Sequence, residues 1–228
     1  MNEDYLLNGE RLDDLELDGR FIISHKDRYC FTSDAVMLAN KVKASAGDRI
    51  IDLCTGGGII ALLIALKSNA KEIIGVEIQQ EMADMARRSV EMNGLENRIK
   101  ILNRDLIGSE IILGIGSNDI VVCNPPYYKL TQGITRENDC IAMARHEIAV
   151  NLEQIIETAS KLLKYGGKFY LVHKSERLAE VISLAVTYKL QPKVLYNIQT
   201  NTNECDTFIL VCKKNAKSGI KIYTIAHD

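Results

Sequence analysis

Short apolar runs recur along the chain, each closed by a glycine, a proline or a polar cluster. Arg49-Ile50-Ile51-Asp52-Leu53 and Asp119-Ile120-Val121-Val122-Cys123 read as buried strands, and Ile73-Ile74-Gly75-Val76-Glu77, Arg98 to Leu102 and Lys168 to His173 as further strands. Between them the period lengthens. Ile59 to Lys67 has helical spacing. Gln80 to Asn93 sets Met82, Met85, Ala86, Ser89 and Val90 along one side before Gly94. Asn151 caps a predicted helix to Lys164, which Gly166-Gly167 should end, and Ser175 to Tyr188 is helical. Two final runs, Lys193 to Thr200 and Thr207 to Cys212, flank Asn201-Thr202-Asn203-Glu204 and predict an antiparallel closing pair.

Strand and helix thus alternate over most of the chain. The expectation is an α/β fold: a doubly wound, Rossmann-like, seven-stranded sheet, mostly parallel, with an antiparallel closing strand. At the N-terminus, Phe21-Ile22-Ile23-Ser24 and Tyr29-Cys30-Phe31 flank His25-Lys26-Asp27-Arg28 and suggest a small hairpin. Residues 1–30 are then an extension carrying that hairpin, and 31–228 a single domain. Thr32 or Ser33 suits an N-cap, with Asp34 in the first turn of a helix running to about Lys43.

Composition changes this picture little. The chain has 228 residues, 46% hydrophobic and 25% charged, which is ordinary for a globular domain. No apolar run is long enough to span a membrane and Met1 to Glu10 has no signal-like segment, so a soluble cytoplasmic protein is expected. The six cysteines form no C-x-x-C pair, and no metal site is expected.

Charge is more informative. The net value of -2 argues against indiscriminate nucleic-acid binding, but it is unevenly distributed. Residues 1–20 are strongly acidic, whereas Lys213, Lys214, Lys217 and Lys221 cluster near the C-terminus. Those lysines suit either a phosphate-binding patch or an ordinary solvated surface.

Three constellations carry chemistry. Asp52-Leu53-Cys54-Thr55-Gly56-Gly57-Gly58 joins a strand to a helix, where glycines let a ligand approach the backbone and its free N–H groups. Gly56-x-Gly58-x-x-Ala61 with Glu77 downstream satisfies a dinucleotide fingerprint. The acid at Asp52 fits a cationic ligand better than a pyrophosphate. Next, Asp105 closes the third strand of the core. Finally, Asn124-Pro125-Pro126-Tyr127 ends the fourth strand abruptly, because neither proline can donate a ladder hydrogen bond. That rigid turn presents an amide, carbonyls and an aromatic ring at a strand's carboxyl end, where open α/β sheets bind ligands.

In this order, these motifs resemble those of class I S-adenosylmethionine-dependent methyltransferases over roughly residues 30 to 212. The resemblance implies S-adenosyl-L-methionine as cofactor. It places Gly56 and Gly58 along the methionine portion, Asp52 near its amino group, Glu77 on the ribose hydroxyls and Asp105 on the adenine amine. Thr32, Ser33 and Asp34 match a further motif that closes over the methionine end.

In this family the Asn-Pro-Pro-Tyr turn accompanies transfer to a planar amino or amide nitrogen. Asn124 and the Pro125 carbonyl would hold the two N–H groups and Tyr127 would stack on the ring, with Pro126 and Tyr128 lining the acceptor. Catalysis is then positioning and electrostatics, without a Cys123 nucleophile. Phe31 to Asp34, the short acidic N-terminus and Ala144-Arg145-His146-Glu147 look most like the tRNA adenine-N6 methyltransferases that act beside the anticodon of a valine tRNA. Arg145 and His146 become candidates for touching RNA, and the polar stretch Lys129 to Arg145 a candidate mobile loop. A tRNA partner is therefore expected.

Other readings remain open at this stage. A release-factor type protein-glutamine methyltransferase and a ribosomal-RNA guanine-N2 methyltransferase use the same turn. A nicotinamide-dependent dehydrogenase would use the glycine loop but leaves Asp52 and Asn124 to Tyr127 unexplained. A silent RNA-binding module would need neither motif.

Overall fold

The structure, a computed structural model, describes residues 2–25, 31–126, 151–199 and 205–226. A two-stranded antiparallel hairpin, β1 (Glu10–Asp14) and β2 (Phe21–His25), precedes the core. Then follow α1 (Ser33–Lys41), β3 (Arg49–Leu53), α2 (Ile59–Lys67), β4 (Glu72–Glu77), α3 (Gln80–Met92), β5 (Ile99–Asn103), the short α4 (Glu110–Leu113) and β6 (Asn118–Cys123). The remainder is α5 (Leu152–Leu162), β7 (Leu163–Lys174), α6 (Leu178–Thr187), β8 (Leu190–Gln199), β9 (Thr207–Lys214) and β10 (Lys221–Ala226).

The main sheet has the order β10-β8-β9-β7-β6-β3-β4-β5. All adjacent pairs are parallel except those made by β9, which runs antiparallel to both β7 and β8. One apolar core joins α1, α2 and α3 to one face of the sheet. A second joins α5 and α6 to the other face through Val121, Phe169, Leu171 and Leu210. This is the doubly wound arrangement the alternating pattern predicts.

Several details differ from the sequence expectation. Among the described residues the sheet has eight strands rather than seven. The addition, β10, is exposed along most of its length, so it lacks the hydrophobic alternation that marks a half-buried strand. A hairpin is present, joining β2 to Glu10–Asp14; Tyr29 and Cys30 of the expected pairing lie outside the described residues. β1 is acidic and only partly buried, so its strand pattern is weak. Residues 26–30 lie outside the described set.

Gly166-Gly167 does not end a helix. The chain passes directly from α5 into β7 at Leu163, and both glycines lie within that strand. A side chain at Gly167 would meet the Lys164 and Asp119 carbonyls at 3.0 and 3.1 Å, which explains the glycine by close backbone approach. The Asn151 cap is as expected, with a reciprocal bond pair to Gln154. Thr32 occupies the cap position of α1 but makes no side-chain capping bond.

The hairpin is bound tightly to α3. Arg88 forks onto Glu10 with bonds of 2.6 and 2.7 Å. The Ile23 N–H donates to Ser89 Oγ at 3.0 Å, and Asn93 Nδ2 donates to the Phe21 carbonyl at 2.7 Å. Ile23 itself packs on Met82 and Met85.

Candidate active site

β3 is followed in space by β4 on one side and by β6 on the other, so the strand order reverses at β3. The crevice at such a reversal, beyond the carboxyl ends, is where doubly wound sheets bind ligands. The glycine loop and the proline turn flank that point. Leu53 is the register partner of Cys123, so Cys54 and Asn124 leave adjacent strands side by side.

The loop geometry explains its glycines. Gly56 and Gly58 both have positive φ, at 56° and 88°. A Cβ on Gly58 would also lie 3.2 Å from that of Ala86 on α3. Cys54 takes φ 58° without being glycine, a strained conformation of the kind that clusters at functional sites.

Asp52 is fully buried. The Thr55 hydroxyl donates to its Oδ2 at 2.6 Å, while Oδ1 has no hydrogen-bond partner. Burial pushes its carboxyl up to about 7, with the neighbouring Glu77 charge adding to the rise. The Thr55 hydroxyl and, from outside hydrogen-bonding geometry, the Ala61 N–H pull the other way. Gly75, the register partner of Asp52, makes this possible: a Cβ there would meet Thr55 at 2.8 Å and Ile101 at 2.8 Å.

Glu77 closes β4 and is buried. Its Oε2 accepts from the Gly56 N–H and its Oε1 from the Gln79 N–H, both at 2.9 Å. Each oxygen keeps a lone pair for a further donor. Asp105 lies just past β5, half-buried, with Oδ1 accepting from the Ile107 N–H at 2.9 Å. Thr32 is exposed at the start of α1 and Asp34 buried within its first turn. Asn124 is half-buried, Pro125 buried and Pro126 half-buried. Burial, and then the adjacent Cys54 thiol, push the Cys123 thiol well above its usual range, so it stays protonated and is no nucleophile.

The structure therefore brings Asp52, Gly56, Gly58 and Glu77 together, with Asn124 and Pro125 across the reversal point. Tyr127, Tyr128, Arg145, His146 and the expected loop Lys129 to Arg145 lie outside the described residues.

The sequence pattern of one family, described as Methyltransferase small domain, matches residues 31–191. The chain belongs to this family. Among curated relatives, the tRNA1(Val) (adenine(37)-N6)-methyltransferase of Porphyromonas gingivalis is 32% identical over 152 residues, 66% of this chain. The match spans 59% of that relative's length. A protein of the same name from Shewanella loihica is 25% identical over 198 residues, covering 84% of this chain and 80% of its own.

Solved structures agree on the fold. A Thermotoga maritima protein named as a SAM-dependent O-methyltransferase superposes with a TM-score of 0.61 at 15% identity, covering 84% of this chain and 68% of its own. An Agrobacterium tumefaciens protein named as a predicted O-methyltransferase gives 0.67 at 22% identity, covering 85% and 86%.

Within this methyltransferase domain, two apolar residues escape the sequence reading. Ile78 and Ile107 are 42% and 48% exposed, one residue beyond Glu77 and two beyond Asp105. Asn103 Nδ2 fixes this rim by donating to the Glu77 and Ile78 carbonyls at 2.9 and 3.0 Å. Only their place within two residues of the acids at two adjacent strand ends could have singled them out. Exposed aliphatic side chains are otherwise common.

Proposed function

We propose that this chain moves a methyl group from S-adenosyl-L-methionine to an exocyclic amino nitrogen, N6 of an adenosine in tRNA. The observation that carries the reading is the pairing of the Asn124-Pro125-Pro126 turn with the glycine loop across the β3–β6 reversal. The names of the curated relatives support the acceptor.

The residues present fit the cofactor. Asp52, buried and with one oxygen unpartnered, is a carboxylate in need of a cation. An ammonium group beside it would hold it ionised. Glu77 would accept from ribose hydroxyls through its remaining lone pairs. Asp105 would accept from the adenine amine, with Ile78 and Ile107 against the ring. Gly56 and Gly58 would leave the backbone open to the methionine portion, and Thr32 and Asp34 would close over it. When bound, S-adenosylmethionine supplies an electrophilic methyl on a sulfonium.

The protein's part is to present the acceptor. The Asn124 side-chain oxygen and the Pro125 carbonyl would accept from the two amine N–H groups. That draws the nitrogen lone pair out of the ring plane and towards the methyl. Stiffness matters here, because the two prolines leave the turn little freedom to follow a misplaced base. Tyr127 would stack on the base, with Pro126, Tyr128, Arg145 and His146 around the RNA. An adenosine in a folded loop must first leave its stack, at a cost of roughly a few kcal/mol.

We read residues 1–30 as an extension and 31–228 as the catalytic unit, supported by the family match beginning at residue 31. A cytoplasmic location accords with a tRNA substrate. No described helix is long and apolar enough to cross a membrane.

Calorimetry with S-adenosylmethionine tests the first half of the proposal: the wild type and Asn124→Ala should bind it alike. Labelled cofactor, offered with separate pools of tRNA, ribosomal RNA and release factors, tests the second. The wild type should label tRNA, recovered as N6-methyladenosine, and Asn124→Ala should label nothing. Label confined to protein would instead establish the glutamine reading.

A further inference from the structure

Lysines are concentrated at one edge of the sheet. Residues 189–199 and 207–226, which make β8, β9 and β10, carry six lysines and no carboxylate in a chain of net charge -2. Most of these lysines stand at the amino-terminal end of the sheet. Lys189 precedes β8, Lys213 and Lys214 end β9, Lys217 lies in the link, and Lys221 opens β10. Lys214 is engaged with the Ser160 and Leu163 carbonyls at 2.5 and 2.8 Å, whereas Lys189, Lys213, Lys217 and Lys221 are exposed.

Above them, on the face shared with α1, a stacked column reaches the edge. Lys41 Nζ sits 5.0 Å from the Tyr196 ring centre. Tyr196 stacks on Tyr223 of β10, with ring centres 5.6 Å apart and planes at 24°. Tyr223 ends the column on the outermost strand and is 46% exposed. A tyrosine is amphipathic and a stacked pair gains little by facing water, so an exposed terminal ring is suited to one more planar group. β10 and β8 run parallel to β6 and β7, so their carboxyl ends lie on the same side of the sheet as Asn124. β10 is four strands from β6, about 19 Å at the usual strand spacing of about 4.8 Å.

We propose that the β10 edge is a docking track for the RNA that flanks the target nucleotide. Tyr223 stacks on an unpaired base and Lys213, Lys217 and Lys221 contact phosphates beyond it. The proposal rests on the RNA-methyltransferase reading above and deepens it. Phosphate contacts carry no sequence information but fix register, and they give binding a steep salt dependence. Stacking on a tyrosine is equally tolerant of sequence. The pocket selects an amino nitrogen, and the edge would select a large RNA that can reach both places.

The test uses the full chain and a fluorescently labelled valine tRNA transcript, with binding followed by anisotropy across a salt series. Tyr223→Ala is expected to weaken binding about tenfold, and Tyr223→Phe to leave it unchanged, since only the ring is used. The triple variant Lys213→Gln/Lys217→Gln/Lys221→Gln should flatten the log–log salt slope by about two to three. It should raise KM for tRNA while leaving kcat and cofactor affinity as they were. On a single-stranded RNA of about five nucleotides around the target, the triple variant should match the wild type.

If the wild type methylates tRNA and every variant matches it in affinity and slope, the track is wrong and the function stands. If the wild type binds cofactor but no tRNA, the function reading fails and the track with it. If sedimentation shows a dimer that Tyr223→Ala dissolves without changing tRNA affinity, the edge joins two copies of this chain. That also overturns the proposal.

Discussion

The two ends of the sheet are built by opposite means. At the β5 end, an acidic hairpin is tied to α3 by a forked ion pair, three side chain–backbone bonds and a small methionine-lined core. At the β10 end, an edge strand pairs among the described residues with β8, and Ile222 is 61% exposed. One end directs its polar side chains inward to neighbours, and the other leaves most of its lysines to solvent. A net charge near zero conceals this, because it averages two regions of opposite sign. The lesson is that charge should be read against sheet order, since chain ends distant in sequence become the opposite flanks of one surface.

That contrast can be broken most directly at Arg88. Arg88→Ala leaves the Glu10 carboxylate, mostly buried, without its forked partner. We expect a loss of about 2–3 kcal/mol in urea denaturation, against less than about 0.5 kcal/mol for the lysine-to-glutamine changes on the β10 edge. Equal losses at both ends would erase the distinction. Burial raises the Glu10 carboxyl, but the Arg88 and Leu7 bonds outweigh it and leave the group below its usual range. The pair's stabilisation is therefore present above the ordinary glutamate range and lost as pH falls through the lowered value. Arg88→Ala should show a shallower acid limb than the wild type.

A second, smaller effect is expected midway between the ends. Gly75→Ala forces a methyl against Thr55 and Ile101, and should cost about 1–3 kcal/mol in thermal unfolding while weakening cofactor binding. Tight cofactor binding in this variant would show that Thr55 is not needed to hold Asp52.

The mildest prediction concerns pH. With its value raised to about 7, Asp52 binds a proton in the folded protein that the unfolded chain releases near 4. The ligand-free protein should therefore lose stability as pH rises between those limits. A cationic ligand needs the ionised form, so its affinity should rise over pH 5.5 to 7.5 and then level off. Asp52→Asn should flatten both profiles, which calorimetry and melting at matched pH would show.

Much of this was legible in advance where burial leaves a pattern. The strands of the parallel core, the glycine loop and the Asn-Pro-Pro turn are spelled by local residue types, because a strand buried on both faces has few alternatives to Val, Ile and Leu. The resemblance to methyltransferases rested on those same positions, and the family match and the sheet order bear it out. What was not legible lies at the edges. Lys221 to Ala226 reads as a basic tail until β8 supplies its partner, and Glu10 to Asp14 reads as an acidic leader until β2 does. Gly166-Gly167 misled for a different reason: close packing on the Asp119 carbonyl and a helix stop call for the same residue. Ile78 and Ile107 were invisible because their interest lies in which acids they follow.

The link between β9 and β10 makes the edge strand separable from the rest of the sheet. β9 ends and β10 begins at the same end of the sheet, with β8 between them, so residues 215–220 must pass across the start of β8. The Asn215 N–H donates to the Lys189 carbonyl at 2.8 Å, and Lys193 Nζ donates to the Lys217 carbonyl at 3.2 Å, pinning that crossing. β10 pairs on one side and is largely exposed, so we expect it to open ahead of the strands inside the sheet. Its amides should exchange with deuterated solvent well ahead of those of β8, long before the parallel core opens. The molecule would then pass through a form with its glycine loop and proline turn intact and its basic edge undone.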